Sequence, residues 1–80
     1  MTYVYLLESF ADPAKRYIGK SENLQVRFVD HNAGRSVYTS ADRLWKLVGS
    51  HAFPDAYKAT EFEDYLKSGS GRAFERRRLW

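Results

Sequence analysis

The chain contains no cysteine, which excludes both a disulfide framework and a zinc site with cysteine ligands. Its two histidines, His31 and His51, do not form a zinc site by themselves. No apolar run approaches the roughly 20 residues that cross a bilayer, and the N-terminus lacks the basic-then-apolar form of a secretory signal. We therefore expect a cytoplasmic protein whose stability comes from packing.

The chain is also short, and its net charge is small. Eighty residues predict a single domain, 1–80, and the aromatic content of 16% supplies the large buried areas that such a small core needs. The net charge of +3 is concentrated at the C-terminal end, because residues 1–71 hold nine basic and nine acidic residues.

An arginine-rich tail therefore carries the positive charge. Arg72, Arg76, Arg77 and Arg78 stand there against Glu75 alone. Such a segment attracts nucleic-acid phosphates. Arginines at the end of a helix also suit the helix dipole and solubilise the chain, and the sequence leaves both interpretations open.

Two short aromatic segments at the N-terminus predict a β-hairpin. Residues 2–8 alternate as a strand does, Asp12-Pro13 marks a turn, and residues 15–20 return as the second strand. A register that pairs Tyr5 with Tyr17 places both phenols on one face, whereas an odd shift places them on opposite faces. The sequence does not decide between these registers. Gly19 is expected to end the second strand and to allow close approach of backbone or phosphate.

A helix is predicted over 22–33, with Ser21 as N-cap, Glu22 in the first turn and Gly34 at its end. Helical spacing puts a charged and a titratable side chain on the face that should be buried. The residues on this stripe are Leu24, Arg27, Phe28 and His31. A functional site explains them, but so would an ion pair of Arg27 with Glu63 or Asp30 and a packed, hydrogen-bonded imidazole.

Residues 35–43 read as a polar loop in which Thr39 is a candidate phosphate contact. Residues 44–53 follow as a third strand. Strict alternation predicts that Trp45, Leu47, His51 and Phe53 share one face of it.

A second helix is predicted over 55–67, and it places a carboxylate within its apolar stripe. The stripe contains Ala56, Ala59, Phe62 and Leu66, with Glu63 among them. An inward carboxylate needs a partner, either Arg27 or a divalent cation such as magnesium. Alternatively, Thr60 and Glu63 form a capping box for a helix that begins near residue 60.

Residues 67–72 (Lys-Ser-Gly-Ser-Gly-Arg) break the helix, and a third helix is expected from about Ala73. The glycine-rich start is either a phosphate-binding turn or a flexible joint.

The combined pattern resembles the GIY-YIG nuclease family. Tyr17-Ile18-Gly19 matches the second half of that motif, and eleven residues separate Tyr17 from Tyr5, where the first half reads Tyr3-Val4-Tyr5. Arg27 and His31 follow one helical turn apart, and Glu63-Asp64-Tyr65-Leu66-Lys67 fits the family's glutamate segment. The resemblance covers nearly the whole chain.

This resemblance implies an α/β (α+β) domain with a small three-stranded antiparallel sheet flanked by three helices, in the order β-β-α-β-α-α. It also implies a metal-dependent endonuclease that hydrolyses phosphodiester bonds, with DNA favoured over RNA as substrate, a role in DNA repair, and a partner protein as one means of targeting. One Mg²⁺ or Mn²⁺ bound by Glu63 would polarise the scissile phosphate. A two-metal site is disfavoured because only Glu63 faces inward.

The residues expected at the site fall into two groups. The catalytic candidates are Tyr5, Tyr17, Arg27, His31 and Glu63. The substrate-binding candidates are Gly19, Lys20, Thr39, Lys67, Ser70, Arg72, Arg76 and Arg77. Tyr17 is the expected water-activating group, with Tyr5 and His31 orienting it or sharing the proton. The helical stripes predict that Glu63, Arg27 and both tyrosines converge on one cleft beside the sheet. The alternative function is a non-catalytic module that binds branched, damaged or single-stranded nucleic acid, or that depends on a partner for activity.

Overall fold

A computed structural model describes residues 1–33 and 44–80 of the protein. The elements are β1 (Thr2–Ser9), β2 (Arg16–Ser21), α1 (Leu24–Asn32), β3 (Trp45–Phe53), α2 (Ala56–Leu66) and α3 (Gly69–Arg78). The three strands form an antiparallel sheet in the order β2-β1-β3. The predicted fold class is confirmed. The predicted loop 35–43, with Thr39, and Gly34 lie outside the described residues.

β1 is the central strand, and both of its faces are buried. Val4 and Leu7 are fully covered and Leu6 nearly so, which explains the almost continuous apolar run of this strand. One core lies between the sheet and α2, and it includes Val4, Ala59, Leu66 and, at its border, Phe53 and Phe62. The other core lies between the sheet and α1, and it includes Tyr5, Leu7, Trp45, Leu24 and Phe28. The two helices therefore cover opposite faces.

The hairpin register answers the question that the sequence left open. Tyr5 pairs with Gly19, and Leu7 pairs with Tyr17. This register differs by two residues from a Tyr5–Tyr17 pair, so both phenols point to the same face. Gly19 does not end β2 as predicted, because pairing with β1 continues to Ser21.

The predicted faces of β3 are wrong because the strand contains an irregularity. Leu6 pairs with Gly49 but Leu7 pairs with Leu47, so Val48 is an extra residue in the ladder. One extra residue reverses the side-chain alternation beyond it. Trp45 and Leu47 therefore belong to the α1 side, whereas His51 and Phe53 lie on the α2 side beside Phe62, with ring centroids 5.9 and 5.5 Å from it.

The helix starts differ from the predictions where another polar residue makes the cap. Asn23, not Ser21, accepts the Val26 N–H, at 3.1 Å, so α1 begins at Leu24 and Glu22 precedes it. Ser21 is held in β2, where its hydroxyl instead accepts the Asn23 N–H, at 3.0 Å.

The start of α2 excludes the capping-box alternative. Asp55 caps this helix by accepting the Tyr57 N–H, at 2.8 Å, so the helix is already formed at Thr60. The Thr60 hydroxyl donates to the Ala56 carbonyl, at 3.1 Å, as it does within a continuing helix.

α3 begins four residues earlier than predicted, because Ser68 caps it through the Gly71 N–H, at 3.2 Å. Both glycines of the predicted break are helical. Gly71 is needed there, since a Cβ at this position would lie 1.6 Å from the Tyr65 carbonyl oxygen. Among the described residues, no helix is long and apolar enough to cross a membrane.

Candidate functional site

A cluster of three rings and a guanidinium lies on the α1 side of the hairpin. The ring centroids of Tyr17 and His31 are 4.9 Å apart, and those of Tyr5 lie 6.2 Å from Tyr17 and 5.7 Å from His31. The helical stripe explains this arrangement, because Leu24 and Phe28 pack into the core while Arg27 and His31 on the same side of α1 reach the phenols. We call Tyr5, Tyr17, Arg27 and His31 the phenol cluster.

Gly19 makes room for the phenol cluster. It is buried, and a Cβ there would lie 2.4 Å from the Tyr5 hydroxyl oxygen and 2.8 Å from the Tyr17 ring. The Tyr5 ring therefore crosses directly over the β2 backbone. Because Gly19 has no side chain, the two phenol rings can lie against its backbone. Gly19 is itself buried, so it offers no exposed surface to a phosphate.

The Tyr5 hydroxyl is at the centre of a hydrogen-bond chain. It is bonded to His31 Nε2 at 2.8 Å, in a buried environment, and it also bonds with the Arg27 guanidinium. Burial raises the pKa of the Tyr5 hydroxyl above its ordinary value of 10.0; the Arg27 bond opposes this rise, and the neighbouring Tyr17 and Glu63 add to it. Tyr5 is therefore protonated at neutral pH.

His31 accepts the hydrogen bond of the Tyr5 hydroxyl. It is fully buried, and burial lowers the pKa of its imidazole below 6.5; the Arg27 charge lowers it further, while Asp30 opposes the shift. The imidazole is thus neutral at pH 7, and the Tyr5 hydroxyl can donate to Nε2. The packed, hydrogen-bonded imidazole considered from sequence is what the structure shows, but its partner is a residue of the family motif.

Arg27 connects the phenol cluster to its surroundings. Its hydrogen bond with Tyr5 raises the pKa of the guanidinium, which stays charged at all working pH values. A side-chain nitrogen also lies 4.0 Å from Asp30, and the two side chains are 36% and 26% exposed. This is a loose, partly solvated ion pair that leaves the guanidinium accessible to a further anion.

Glu63 lies on α2, across the edge strand from the phenol cluster, and its convergence with the phenols on one cleft beside the sheet stays a prediction. Its helix, α2, packs on the sheet face opposite to the phenol cluster. The Glu63 carboxylate nevertheless raises the pKa of Tyr5, which shows that it is within electrostatic reach of that hydroxyl. The site therefore straddles β2, with Tyr5 on one side and Glu63 on the other.

Two lysines accompany Glu63. Lys67 lies 3.5 Å from a Glu63 carboxylate oxygen, one helical turn away. Lys20 projects to the α2 side and donates to the Thr60 hydroxyl, at 2.6 Å. Of the two ion-pair partners considered for Arg27, Asp30 is the one observed, and Glu63 pairs with Lys67 instead.

A basic groove runs from Tyr17 between β2 and α3, with a volume of about 480 Å³. Three substrate-binding candidates line it: Lys67, Arg72 and Arg76. Ser70 and Arg77 are exposed on α3 and do not line the groove. Arg16, Glu75 and Trp80 also line it, and sequence reasoning did not place them at the site. The only available signals were the position of Arg16 beside Tyr17 and an aromatic residue following the arginine run.

Glu63 suits a magnesium or manganese site in which the protein supplies only one carboxylate ligand. The described residues contain no group of three or more His, Cys, Asp or Glu side chains suited to a metal. Mg²⁺, however, is commonly held by one or two carboxylates while waters and substrate phosphates complete its shell. A single carboxylate with 17% of its side chain exposed, next to a basic groove, suits that donor set.

The protein is a small α+β domain in which two phenols, an imidazole and a guanidinium lie together beside a basic groove. Comparison with protein-family models extends this description: residues 1–77 match the GIY-YIG catalytic domain, and the chain belongs to the GIY-YIG family. The family resemblance expected from sequence is confirmed. GIY-YIG proteins are generally endonucleases that act on nucleic acid with a divalent metal. No curated protein and no solved structure matches the chain.

Proposed function

We propose that the protein is an endonuclease that hydrolyses phosphodiester bonds in nucleic acid, with DNA as the favoured substrate and one divalent cation as cofactor. The observation that carries this proposal is the position of the phenol cluster at the end of the basic groove. A phosphate bound in the groove would lie beside the Tyr17 phenol, and the Arg27 guanidinium is near enough to interact electrostatically with that phenol.

Tyr17 is the proposed general base. Tyr5 is unsuited to this role, because its hydroxyl is buried, bonded to His31 and Arg27, and has a raised pKa. Tyr17 is only half-buried and lines the groove. In its deprotonated, phenolate form, the Tyr17 oxygen would take a proton from a water molecule as that water attacks phosphorus, which returns Tyr17 to the neutral phenol. The bond from phosphorus to the 3′-oxygen would then break, and solvent would protonate the leaving oxygen.

Arg27 and Tyr5 would serve the same step in different ways. Arg27 would neutralise the charge that develops on the non-bridging phosphate oxygens. Tyr5 would hold the guanidinium through its hydrogen bond, while His31 fixes the Tyr5 hydroxyl from the other side. Tyr5 and His31 are thus proposed to orient Arg27.

Glu63 is the proposed ligand of the cation, with Lys67 and Lys20 beside it as candidate phosphate contacts. When bound, one Mg²⁺ or Mn²⁺ would polarise the scissile phosphate and stabilise the leaving oxygen. Lys67 would lose its carboxylate partner on metal binding and become available to a phosphate. Arg72, Arg76 and, further out, Ser70 and Arg77 would contact the backbone away from the cut.

A nuclease assay with matched variants tests this function. Duplex, single-stranded, flap and junction DNA would be incubated with the protein in Mg²⁺ or Mn²⁺, alongside Glu63→Gln and its exposed neighbour Glu61→Gln. We expect cleavage by the wild type and by Glu61→Gln, and none by Glu63→Gln. Equal activity of the two glutamine variants would remove Glu63 from the metal site.

The alternative is a module that binds nucleic acid without cutting it. The observation in its favour is the Glu63–Lys67 ion pair, which neutralises the only proposed metal ligand. This alternative predicts that Glu63→Gln leaves binding unchanged and that no DNA form is cleaved in either metal. A partner protein required for targeting would appear as cleavage only after its addition.

A further inference from the structure

The groove beside Tyr17 contains an aromatic and cationic pair that phosphate binding does not require. The Arg16 guanidinium lies over the Trp80 ring, 4.7 Å from its centroid. Arg16 also reaches Glu8, at 3.9 Å, which anchors the guanidinium to the sheet. Trp80 is half-buried and lines the groove on the α3 side. Aromatic rings and guanidinium planes are the two surfaces on which unpaired nucleobases stack.

Glu75 fixes the Trp80 ring in this position. The indole N–H donates to Glu75 Oε1, at 3.1 Å, and the Trp80 backbone N–H donates to the Glu75 carbonyl, also at 3.1 Å. The Glu75 residue is only 8% exposed, and no described residue hydrogen-bonds to Oε2. Burying a carboxylate with an unbonded oxygen is costly, and what the Glu75 side chain gains in return is the bond that holds the Trp80 indole.

The charge and size of the groove define what it can hold. Lys67, Arg72 and Arg76 line a groove of about 480 Å³, a volume suited to a nucleotide-sized ligand. Bases inside a duplex stack on one another and present no face to a protein ring, whereas an unpaired base does.

We propose that this groove binds a single-stranded nucleic-acid segment next to the bond to be cut, with one unpaired base stacked on the Arg16–Trp80 pair. This assignment rests on the proposed function, and it names single-stranded or flap-bearing nucleic acid as the substrate class. Lys67, Arg72 and Arg76 hold the phosphates of that segment. Glu75 is a positioning residue that acts through Trp80.

Binding in the absence of metal tests the stacking site without requiring cleavage. A short fluorescein-labelled single strand and a hairpin duplex of matched composition would be titrated in EDTA with wild type, Trp80→Phe and Trp80→Ala. We expect Trp80→Ala to weaken single-strand binding roughly tenfold or more. Trp80→Phe, which keeps an aromatic face but loses the hydrogen bond to Glu75, should weaken it less than Trp80→Ala does. Duplex binding should change little in either variant. Equal losses on both substrates, or no loss on either, would overturn the stacking site.

Tryptophan emission gives a second readout that does not depend on a destabilised variant. Trp45 is 4% exposed in the core, so an unlabelled single strand should quench mainly Trp80. Quenching in the wild type that disappears in Trp80→Phe supports the site, and equal quenching in both proteins refutes it.

The role of Glu75 is tested by conservative rescue. Glu75→Gln keeps an acceptor for the indole N–H and should retain the preference for single strands, whereas Glu75→Leu should lose it. An unchanged preference in Glu75→Leu would remove Glu75 from the site.

The outcomes also separate this site from the nuclease function. A Trp80-dependent preference for single strands without cleavage of any substrate would refute the nuclease function alone. Cleavage that shows no dependence on Trp80 would refute the stacking site alone.

Discussion

The two phenols occupy chemically different places, and this difference gives the first prediction. Tyr17→Phe removes a half-buried hydroxyl at the groove, so we expect cleavage to fall by a factor of about 10²–10⁴ while the fold and substrate affinity are retained. Single-turnover rates, with binding measured separately, would check this. Near wild-type cleavage would exclude Tyr17 as the base, and Tyr57→Phe, at an exposed tyrosine, is the control.

Tyr5→Phe should differ from Tyr17→Phe in a second property. It leaves the buried His31 Nε2 without its Tyr5 partner, so we expect a loss of about 1–3 kcal/mol in unfolding free energy in addition to slower cleavage. Urea unfolding of both variants would show it.

His31 predicts the pH dependence of stability. Its folded-state pKa lies below the unfolded value of 6.5, so the unfolded chain binds the proton more readily. This stabilising contribution is complete above pH 6.5 and is lost as the pH falls through 6.5 towards the lower folded-state pKa. We expect His31→Gln to reduce the slope of unfolding free energy against pH in that range.

The measurement compares the slope of the wild type with that of His31→Gln. Thermal or urea unfolding at a series of pH values would measure it. Identical slopes in wild type and His31→Gln would contradict the assignment.

At the scale of the strands, substitution by alanine should destabilise the protein at one glycine of the sheet and have little effect at another. Gly19→Ala places a methyl group against the Tyr5 hydroxyl and the Tyr17 ring, so we expect a loss of about 1–3 kcal/mol and displaced phenols. At Gly49 an added Cβ meets nothing within 4 Å, so Gly49→Ala is the matched control. Equal stability of the two variants would show that the phenols yield without cost.

The glycines of α3 form a second matched pair. A Cβ at Gly71 would collide with the Tyr65 carbonyl at the α2–α3 junction, whereas one at Gly69 meets nothing within 4 Å. Gly71→Ala should therefore shift α3 and weaken nucleic-acid binding through Arg72 and Arg76, while Gly69→Ala should bind as the wild type does. Fluorescence anisotropy with a labelled oligonucleotide would measure both affinities.

The elements also show which features a sequence pattern can predict. Aromatic strands, helical stripes and the glutamate on α2 follow from local periodicity, and all six elements were expected in the right order. The faces of β3 were not predictable, because the alternation of Trp45, Leu47 and Phe53 contains no sign that Val48 is an extra residue. Likewise, Ser21 and Asn23 are both good caps, and only pairing with Tyr3 commits Ser21 to the sheet.

The candidate site likewise has features that the sequence could predict and features that it could not. The register of the hairpin and the position of Glu63 across β2 depend on tertiary packing, which residue spacing does not encode. The groove could not be predicted either, because it depends on the contact of Arg16 with Trp80, two residues that are far apart in the sequence.

At the scale of the whole molecule, positive charge is gathered on α3. Replacing Arg76, Arg77 and Arg78 with glutamine should weaken binding to duplex DNA. It should also reduce the slope of log affinity against log salt by up to about 0.9 for each phosphate that an arginine no longer neutralises. Affinities measured across a salt series would show this. Lys58→Gln, which removes an exposed charge from α2, should leave the slope nearly unchanged, and an unaltered slope in the triple variant would assign the tail to solubility.

The central position of β1 also determines when the site can exist during synthesis. β1 and β2 are close in sequence and can pair within microseconds, but β1 has its second neighbour only after β3 has been made. Until then one edge of β1 is open and Tyr5 lacks the packing of Trp45. We therefore expect the nascent chain to gain a protected Tyr5 environment only once β3 has left the ribosome. Hydrogen exchange of stalled chains of increasing length would reveal that step.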